Sequence, residues 1–244
     1  MGKNIERSIR FILVAVIITI FIWAFKAGAF EFIINNKRDL VYLSGQHIRL
    51  VALSSFLAII IAIPIGIIIT RPRFKKYDWI VINFANVGQT IPTLAVLALI
   101  MSYFGIGWQT AVIALWFNSL LPILRNTVAG IESVSHSIID AGLGMGMTRM
   151  QVLFKLELPN SFSVILAGIR TSMIINVGSA ALAFLIGGGG LGDLIFTGIA
   201  IADTGIMLSG AVPVIILAIS LDIVLGVFGK VFIPKGLQRD LETV

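Results

Sequence analysis

Asp140-Ala141-Gly142-Leu143-Gly144-Met145-Gly146-Met147-Thr148-Arg149, running on to Leu156-Glu157-Leu158-Pro159, is the stretch around which the rest of the chain is arranged. It lies in a polar interval, Arg125 to Asn160, between two long apolar segments. Its pattern predicts helix, turn, helix. Residues 134–143 form a short first helix, with Ser133 or Ser135 as its cap. Gly142, Gly144 and Gly146 break that helix, because glycine relaxes the backbone into turn conformations. Thr148-x-x-Gln151 has capping-box spacing, so a second helix starts at Arg149. Met150, Leu153 and Phe154 fall on one side of it. Pro159, which lacks the N–H a helix needs, stops it. The product is an elbow with a small apolar face beside polar groups, suited to docking a soluble partner.

Composition says what surrounds the elbow. The chain has 244 residues, of which 58% are hydrophobic and 12% charged, and its mean hydropathy is +1.03. A soluble domain of this length could not hide so much apolar surface, whereas a bilayer can. The fold class is therefore all-α, a polytopic transmembrane bundle of about six spans. With no cysteine there is neither a disulfide framework nor a thiolate metal site. The net charge of +6 reflects membrane topology rather than nucleic-acid binding, as the placement of the basic residues shows.

The first span, Ile9 to Lys26, follows Lys3, Arg7 and Arg10 and is just long enough to cross. It is read as uncleaved. Residues 26–42 are an external linker with a short interfacial helix. The second span runs from Leu43 to Thr70, with Pro64 and Gly66 inside it and Arg49 snorkelling to the outer surface. The third is Trp79 to Tyr103, kinked at Gln89-Thr90-Ile91-Pro92, and the fourth is Gln109 to Leu124. The fifth runs from Phe162 to Ile186 and the sixth from Gly205 to Phe228. With an inside N-terminus, thirteen basic residues face inward: Lys3, Arg7, Arg10, Arg71, Arg73, Lys75, Lys76, Arg125, Arg149, Lys155, Lys230, Lys235 and Arg239. Four face outward: Lys26, Lys37, Arg38 and Arg49. This bias follows the positive-inside rule and puts both termini and the elbow in the cytoplasm.

Polar residues at membrane depth either join helices or line a solute path. Asn83, Asn86, Thr90 and Thr93 share one face of the third span, with Gln89 beside them. Ser172, Asn176 and Ser179 make a similar stripe on the fifth, and Asn118 joins the set. All nine are pathway-lining candidates. Asp222, late in the sixth span, pairs with an inner basic residue. Gly187-x-Gly189-x-x-Gly192 matches a dinucleotide fingerprint as text, but it follows a membrane span, so it is read as a helix end packed against a neighbour. There is no phosphate-binding loop with Gly-Lys-Ser/Thr, no nucleophile–base arrangement, and His47 and His136 lie on opposite membrane sides. No catalytic or metal site is expected.

The elbow resembles the EAA loop of permease subunits of binding-protein-dependent ABC importers. That pattern is Glu-Ala-Ala, three residues, Gly, nine residues, Ile, one residue, Leu-Pro. Here Asp140-Ala141-Gly142, Gly146, Leu156 and Leu158-Pro159 stand at the matching positions. The chain departs from it at Asp140, Gly142 and Leu156. The flanks are similar to the osmoprotectant branch of that family, which serves glycine betaine, choline, carnitine and related quaternary amines. They are Gly88-Gln89-Thr90-Ile91-Pro92-Thr93-Leu94-Ala95, Leu121 to Gly130, Leu166 to Ser172, and Gly190-Leu191-Gly192-Asp193-Leu194-Ile195.

The resemblance implies a type I importer permease core (MetI-like) over residues 43–228, with cytoplasmic coupling helices at 132–159. Residues 1–42 are an extra span and linker, and residues 229–244 a cytoplasmic tail. It also implies partners: cytoplasmic ABC ATPase subunits that hold the ATP and magnesium, a second permease copy or a similar chain, and an extracytoplasmic solute-binding protein. This chain would sit in a bacterial cell membrane, carry no cofactor and catalyse no reaction. Asp140, Ala141, Gly142, Gly146, Thr148, Arg149, Leu158 and Pro159 are the implied ATPase-coupling residues. Two alternatives remain at this point: an importer permease for an amino acid or related amine, and an ion-coupled secondary transporter. The second would need internal repeats and midplane ion ligands, and the chain shows no repeat and few membrane acids.

Overall fold

Apolar length decides which segments can cross a bilayer, and in the computed structural model four helices meet that test among the described residues: Lys37–Ile69, Trp108–Glu132, Arg149–Ile186 and Thr204–Val231. The structure describes residues 28–232 continuously and, before them, residues 12, 15, 16, 18, 19, 22, 23, 25 and 26. Half of the predicted first span and most of the C-terminal tail lie outside the described residues.

The elements run in order as α1 (Ala29–Asn35), α2 (Lys37–Ile69), α3 (Asp78–Thr90), α4 (Thr93–Phe104), α5 (Trp108–Glu132), α6 (His136–Gly144), α7 (Arg149–Val152), α8 (Leu158–Ala180), α9 (Gly192–Ala200) and α10 (Thr204–Phe232). A π-helical turn, Leu153–Glu157, joins α7 to α8, and a 3-10 turn, Ala181–Ile186, extends α8. The predicted linker of residues 26–42 is mostly helical: α1 fills part of it, and α2 begins at Lys37 rather than at Leu43.

α5 is the hub, packed between α2 and α8. Of its most apolar window, 61% is buried inside the chain, against 6% for α10. α5 is therefore covered by protein, and α10 presents Ile215, Ile216, Ile219, Ile223, Val224 and Val227 outward. A helix so apolar on its open face is solvated by lipid. Small residues set the close approaches. A Cβ on Gly66 would lie 2.7 Å from Thr127 Cγ2, and one on Gly130 would lie 3.1 Å from the Ser161 carbonyl oxygen. Glycine lets these backbones approach as membrane helices do when lipid supplies no hydrophobic drive. One apolar cluster gathers Leu50, Leu97, Leu115 and Val177; a second gathers Ala62, Ile123, Leu124 and Val128.

The third span is broken, not kinked. Ile91 adopts extended geometry (ψ 128°) between α3 and α4, since Pro92 disfavours helix at the residue before it. The two halves are 13 and 12 residues long, each too short to cross alone. At the end of the fifth span away from the elbow, Gly187–Gly192 folds back on α2, with Gly190 N–H donating to Gln46 Oε1 (3.0 Å). A Cβ on Gly189 would meet that oxygen at 2.5 Å. The glycine run is thus a helix end seated against a neighbour. Arg49 is exposed, its guanidinium 4.9 Å from the Trp108 ring centroid.

Candidate functional site

The elbow forms as helix, turn, helix, but its parts differ from expectation in instructive ways. α6 spans His136–Gly144 with Ser135 at its N-cap. Gly142 and Gly144 lie inside it rather than breaking it. The turn falls on Gly146 alone, whose φ of +80° is the left-handed geometry that glycine tolerates. Met147 N–H then returns to the Gly142 carbonyl (3.1 Å), closing the helix end. Thr148 caps α7 with both halves of the capping box in place: Gln151 N–H donates to Thr148 Oγ1 (3.3 Å) and Thr148 N–H to Gln151 Oε1 (2.8 Å).

Pro159 does not stop the second helix. It sits at the start of α8, and the π turn at Leu153–Glu157 carries the helix past it. A widened turn is a known way to absorb a residue with no N–H to give. The elbow is therefore continuous with the fifth span, one helical run from Arg149 to Ile186.

Of the predicted apolar face, Leu153 is buried, while Met150 and Phe154 are 62% and 60% exposed. Ile138, Leu143 and Met145 are exposed beside them. Asp140, Ala141, Thr148, Arg149 and Pro159 also lie on the surface, Leu158 is half-buried and Gly142 is buried. Beside this surface a cleft of about 630 Å³ separates the elbow from the C-terminal end of α2 and is lined in part by Arg71, Lys75, Glu132, His136 and Arg149. Two ion pairs bridge it: Arg71 Nη1 to Glu157 Oε2 at 2.7 Å, and Lys75 Nζ to Glu132 Oε1 at 3.3 Å. Glu157 is buried, so the first bond anchors the elbow to the second span. Sequence reasoning gave neither acid a role; partners as far apart in the chain as Arg71 and Glu157, 86 positions, leave no local signal.

Two of the three departures from the EAA pattern touch each other. A Cβ on Gly142 would lie 2.5 Å from Leu156 Cδ1. A longer side chain at 156 fits because position 142 has none. A Cβ at 142 would meet the far end of a flexible side chain, so Leu156 can turn aside, and alanine favours a helix that glycine weakens by about 0.5–1 kcal/mol. Gly142→Ala is therefore expected to change stability by less than about 1 kcal/mol, and Gly142→Ala/Leu156→Ile to differ from the sum of the single changes because the two positions touch, as thermal unfolding of the four members of the cycle would measure. Gly146 has open space around it, so the constraint there is conformational. Gly146→Val is expected to lose about 1–2 kcal/mol of local turn stability, as read by hydrogen exchange at the turn.

The pathway candidates separate into two sets. On α8, Ser172 Oγ donates to the Ser119 carbonyl (2.8 Å), and Asn176 Nδ2 donates to Ser54 and Ser55 Oγ (2.7 and 2.9 Å). Both are buried and join α8 to α5 and α2; Ser179 is half-buried. Near them His47 is buried, its Nε2 3.0 Å from the Val177 carbonyl oxygen. On the broken span the residues stay more open. Asn83, Gln89 and Thr90 are exposed, and Asn86 and Thr93 half-buried. Gln89 Nε2 donates to the Asn118 carbonyl (2.7 Å), and Asn118 Nδ2 donates to Thr93 Oγ1 (3.2 Å). The break is thus stapled to α5 from both sides, leaving Asn83, Asn86 and Thr90 along an open face. Asp222 pairs not with an inner basic residue but with Arg170 of the fifth span.

A broken span, small-residue crossings and an elbow built into a long membrane helix define a multi-pass transport subunit. The chain belongs to the family of binding-protein-dependent transport system inner membrane components, whose model matches residues 62–235. It is 44% identical over 207 residues to the glycine betaine/carnitine/choline transport system permease protein OpuCB of Bacillus subtilis, covering 85% of this chain and 94% of that one. It is also 44% identical over 232 residues to the osmoprotectant import permease protein OsmY of Salmonella typhimurium, covering 95% and 97%. The choline transport system permease protein OpuBB of Bacillus subtilis is 43% identical over 209 residues, with 86% and 95% covered. Among solved structures, the inward-facing MetNI methionine ABC transporter superposes with a TM-score of 0.73 at 23% identity, covering 80% of this chain and 97% of that one. An amino acid ABC transporter crystallised with histidines gives 0.68 at 18%, covering 81% and 96%. The likeness to these two is one of fold. Family membership decides against an ion-coupled secondary transporter.

Proposed function

We propose that this chain forms half of the translocation pathway of an ATP-driven importer for a small osmoprotectant of the glycine betaine, carnitine and choline class. A separate cytoplasmic ATPase drives it through residues 132–159. ATP and magnesium belong to that ATPase, an extracytoplasmic binding protein delivers the solute, and a second permease copy completes the bundle. The observation that carries this reading is the capped elbow, open at Ile138, Leu143, Met145, Met150 and Phe154 and continuous with the fifth span. An exposed apolar patch of that kind on a membrane subunit marks a docking surface. Alternating access follows when the ATPases bind the two elbow positions with different affinity, since only differential contacts shift a two-state equilibrium. The solute class is supported by relatives above 40% identity named for these solutes. The distribution of basic residues supports an orientation with both termini and the elbow in the cytoplasm.

The test is uptake. Proteoliposomes holding this chain, the ATPase and a binding protein encoded with it should take up labelled glycine betaine, carnitine or choline only when ATP is supplied on the elbow side. Uptake of none of the three by an assembled, ATP-hydrolysing complex would overturn the solute assignment. ATP-independent uptake would overturn the mechanism.

A further inference from the structure

The chain leaves α2 through a stretch that is both basic and aromatic: Arg71, Arg73, Lys75 and Lys76, with Phe74 among them and Tyr77 and Trp79 just after. The three rings are exposed, as are the apolar residues on either side, Ile68 of α2 and Ile80 and Phe84 of α3. Apolar side chains open to lipid that give way to exposed aromatic and basic residues mark the level of the headgroups. The cleft between this stretch and the elbow therefore stands at the membrane surface rather than within the hydrocarbon layer.

Its charges do not balance. Arg71, Arg73, Lys75 and Arg149 line it against two acids, Glu132 and Glu157. Both acids are engaged, Glu157 by Arg71 and Glu132 by Lys75. Among the described residues, Arg73 and Arg149 have no carboxylate partner, and the Phe74 ring, 5.8 Å from the Arg73 guanidinium, offers no counter-charge. Two guanidiniums are thus left for an anion, and each presents the planar fork of donors that suits phosphate oxygens. The rest of the lining is apolar: Ile131, Val134, Ile139 and Leu143. A volume of about 630 Å³ is ample for a small molecule, and a cleft basic at one part and greasy at another suits an amphiphile better than a bare inorganic ion.

We propose that this cleft binds the headgroup of an anionic phospholipid, whose phosphodiester is held by Arg73 and Arg149 and whose glycerol backbone lies along the apolar wall. Basic pockets at the ends of membrane helices take such headgroups because the lipid is already at hand and needs only a short shift to reach them. A zwitterionic lipid carries its own ammonium beside the phosphate and leaves the surplus charge of the cleft unanswered. Because Arg149 opens α7 and Arg73 follows α2, one bound headgroup ties the elbow to the end of the second span. The proposal does not depend on which solute the transporter carries.

The experiment titrates the complete transporter, in neutral detergent, with dioctanoyl phosphatidylglycerol, with dioctanoyl phosphatidylcholine and with inorganic phosphate, and counts bound lipid by native mass spectrometry. It uses the wild-type chain, Arg73→Glu and Lys76→Glu. Lys76 stands on the same stretch and undergoes the same charge reversal, but it does not line the cleft. Both side chains are exposed, so both variants should fold and assemble, and Arg73→Gln serves as a milder second variant. The expected result is that the wild type binds phosphatidylglycerol at least tenfold more tightly than phosphatidylcholine. Arg73→Glu should weaken that binding tenfold or more, Arg73→Gln threefold or more, and Lys76→Glu less than threefold. Equal binding of the two lipids, or equal losses for Arg73→Glu and Lys76→Glu, would mean diffuse attraction and overturn the proposal. Inorganic phosphate that displaces phosphatidylglycerol at comparable concentration would make the cleft a site for soluble phosphates and overturn the lipid assignment. No lipid bound by the assembled transporter would give the cleft to an acidic segment of the ATPase, and overturn it too.

Discussion

Met150→Glu/Phe154→Glu is expected to abolish capture of the ATPase and to lower ATP-driven uptake at least a hundredfold, with the chain still inserted and folded. Both side chains are more than half exposed on the elbow, so charging them costs the isolated chain little. On the proposed function both are buried against the ATPase, and a buried, unpaired carboxylate is among the most unfavourable changes an interface can suffer. Two such changes at one contact would exceed the few kcal/mol that a hundredfold loss represents. Co-purification with the ATPase reads the effect directly, and the thermal midpoint of the permease alone checks the fold. A double variant that holds its ATPase would place the docking surface elsewhere.

Arg71→Ala is expected to act from the other side of the elbow. The change leaves Glu157 buried without its 2.7 Å partner, and because Arg71 is itself 30% exposed and water reaches the site, the loss is about 1–3 kcal/mol. The elbow should loosen from the inner end of α2 and transmit less of each ATPase cycle. Uptake per ATP hydrolysed falls, while ATPase docking through Met150 and Phe154 persists. Arg71→Ala/Glu157→Gln removes the stranded charge and should recover most of the stability. Hydrogen exchange at residues 149–157 distinguishes the two variants: faster than wild type in the single, near wild type in the double.

What the sequence could disclose follows from how local each signal is. Thr148 and Gln151 are three residues apart, and the cap they form has that spacing in any helix, so it was legible. Gly146 was legible as a turn, but its neighbours were not separable from it. Gly142 serves a contact with Leu156, and spacing alone cannot distinguish a packing glycine from a breaking one. Pro159 misled because the rule that proline ends a helix assumes regular α geometry, and the π turn before it relaxes that assumption. The break at Ile91 was foreshadowed by Gln89-Thr90-Ile91-Pro92, but its completeness depends on the Gln89–Asn118–Thr93 staple. Arg71–Glu157 and Arg170–Asp222 join residues 86 and 52 positions apart. Only the assembled bundle reveals such pairs.

The natural absence of cysteine makes one measurement especially direct. Phe154→Cys places a single thiol on the exposed elbow, and a membrane-impermeant maleimide can be applied to vesicles of either orientation. The account predicts labelling in inside-out vesicles only, and protection when the ATPase is bound. Labelling from the extracellular side, or labelling from the inside that the bound ATPase leaves unchanged, would contradict it.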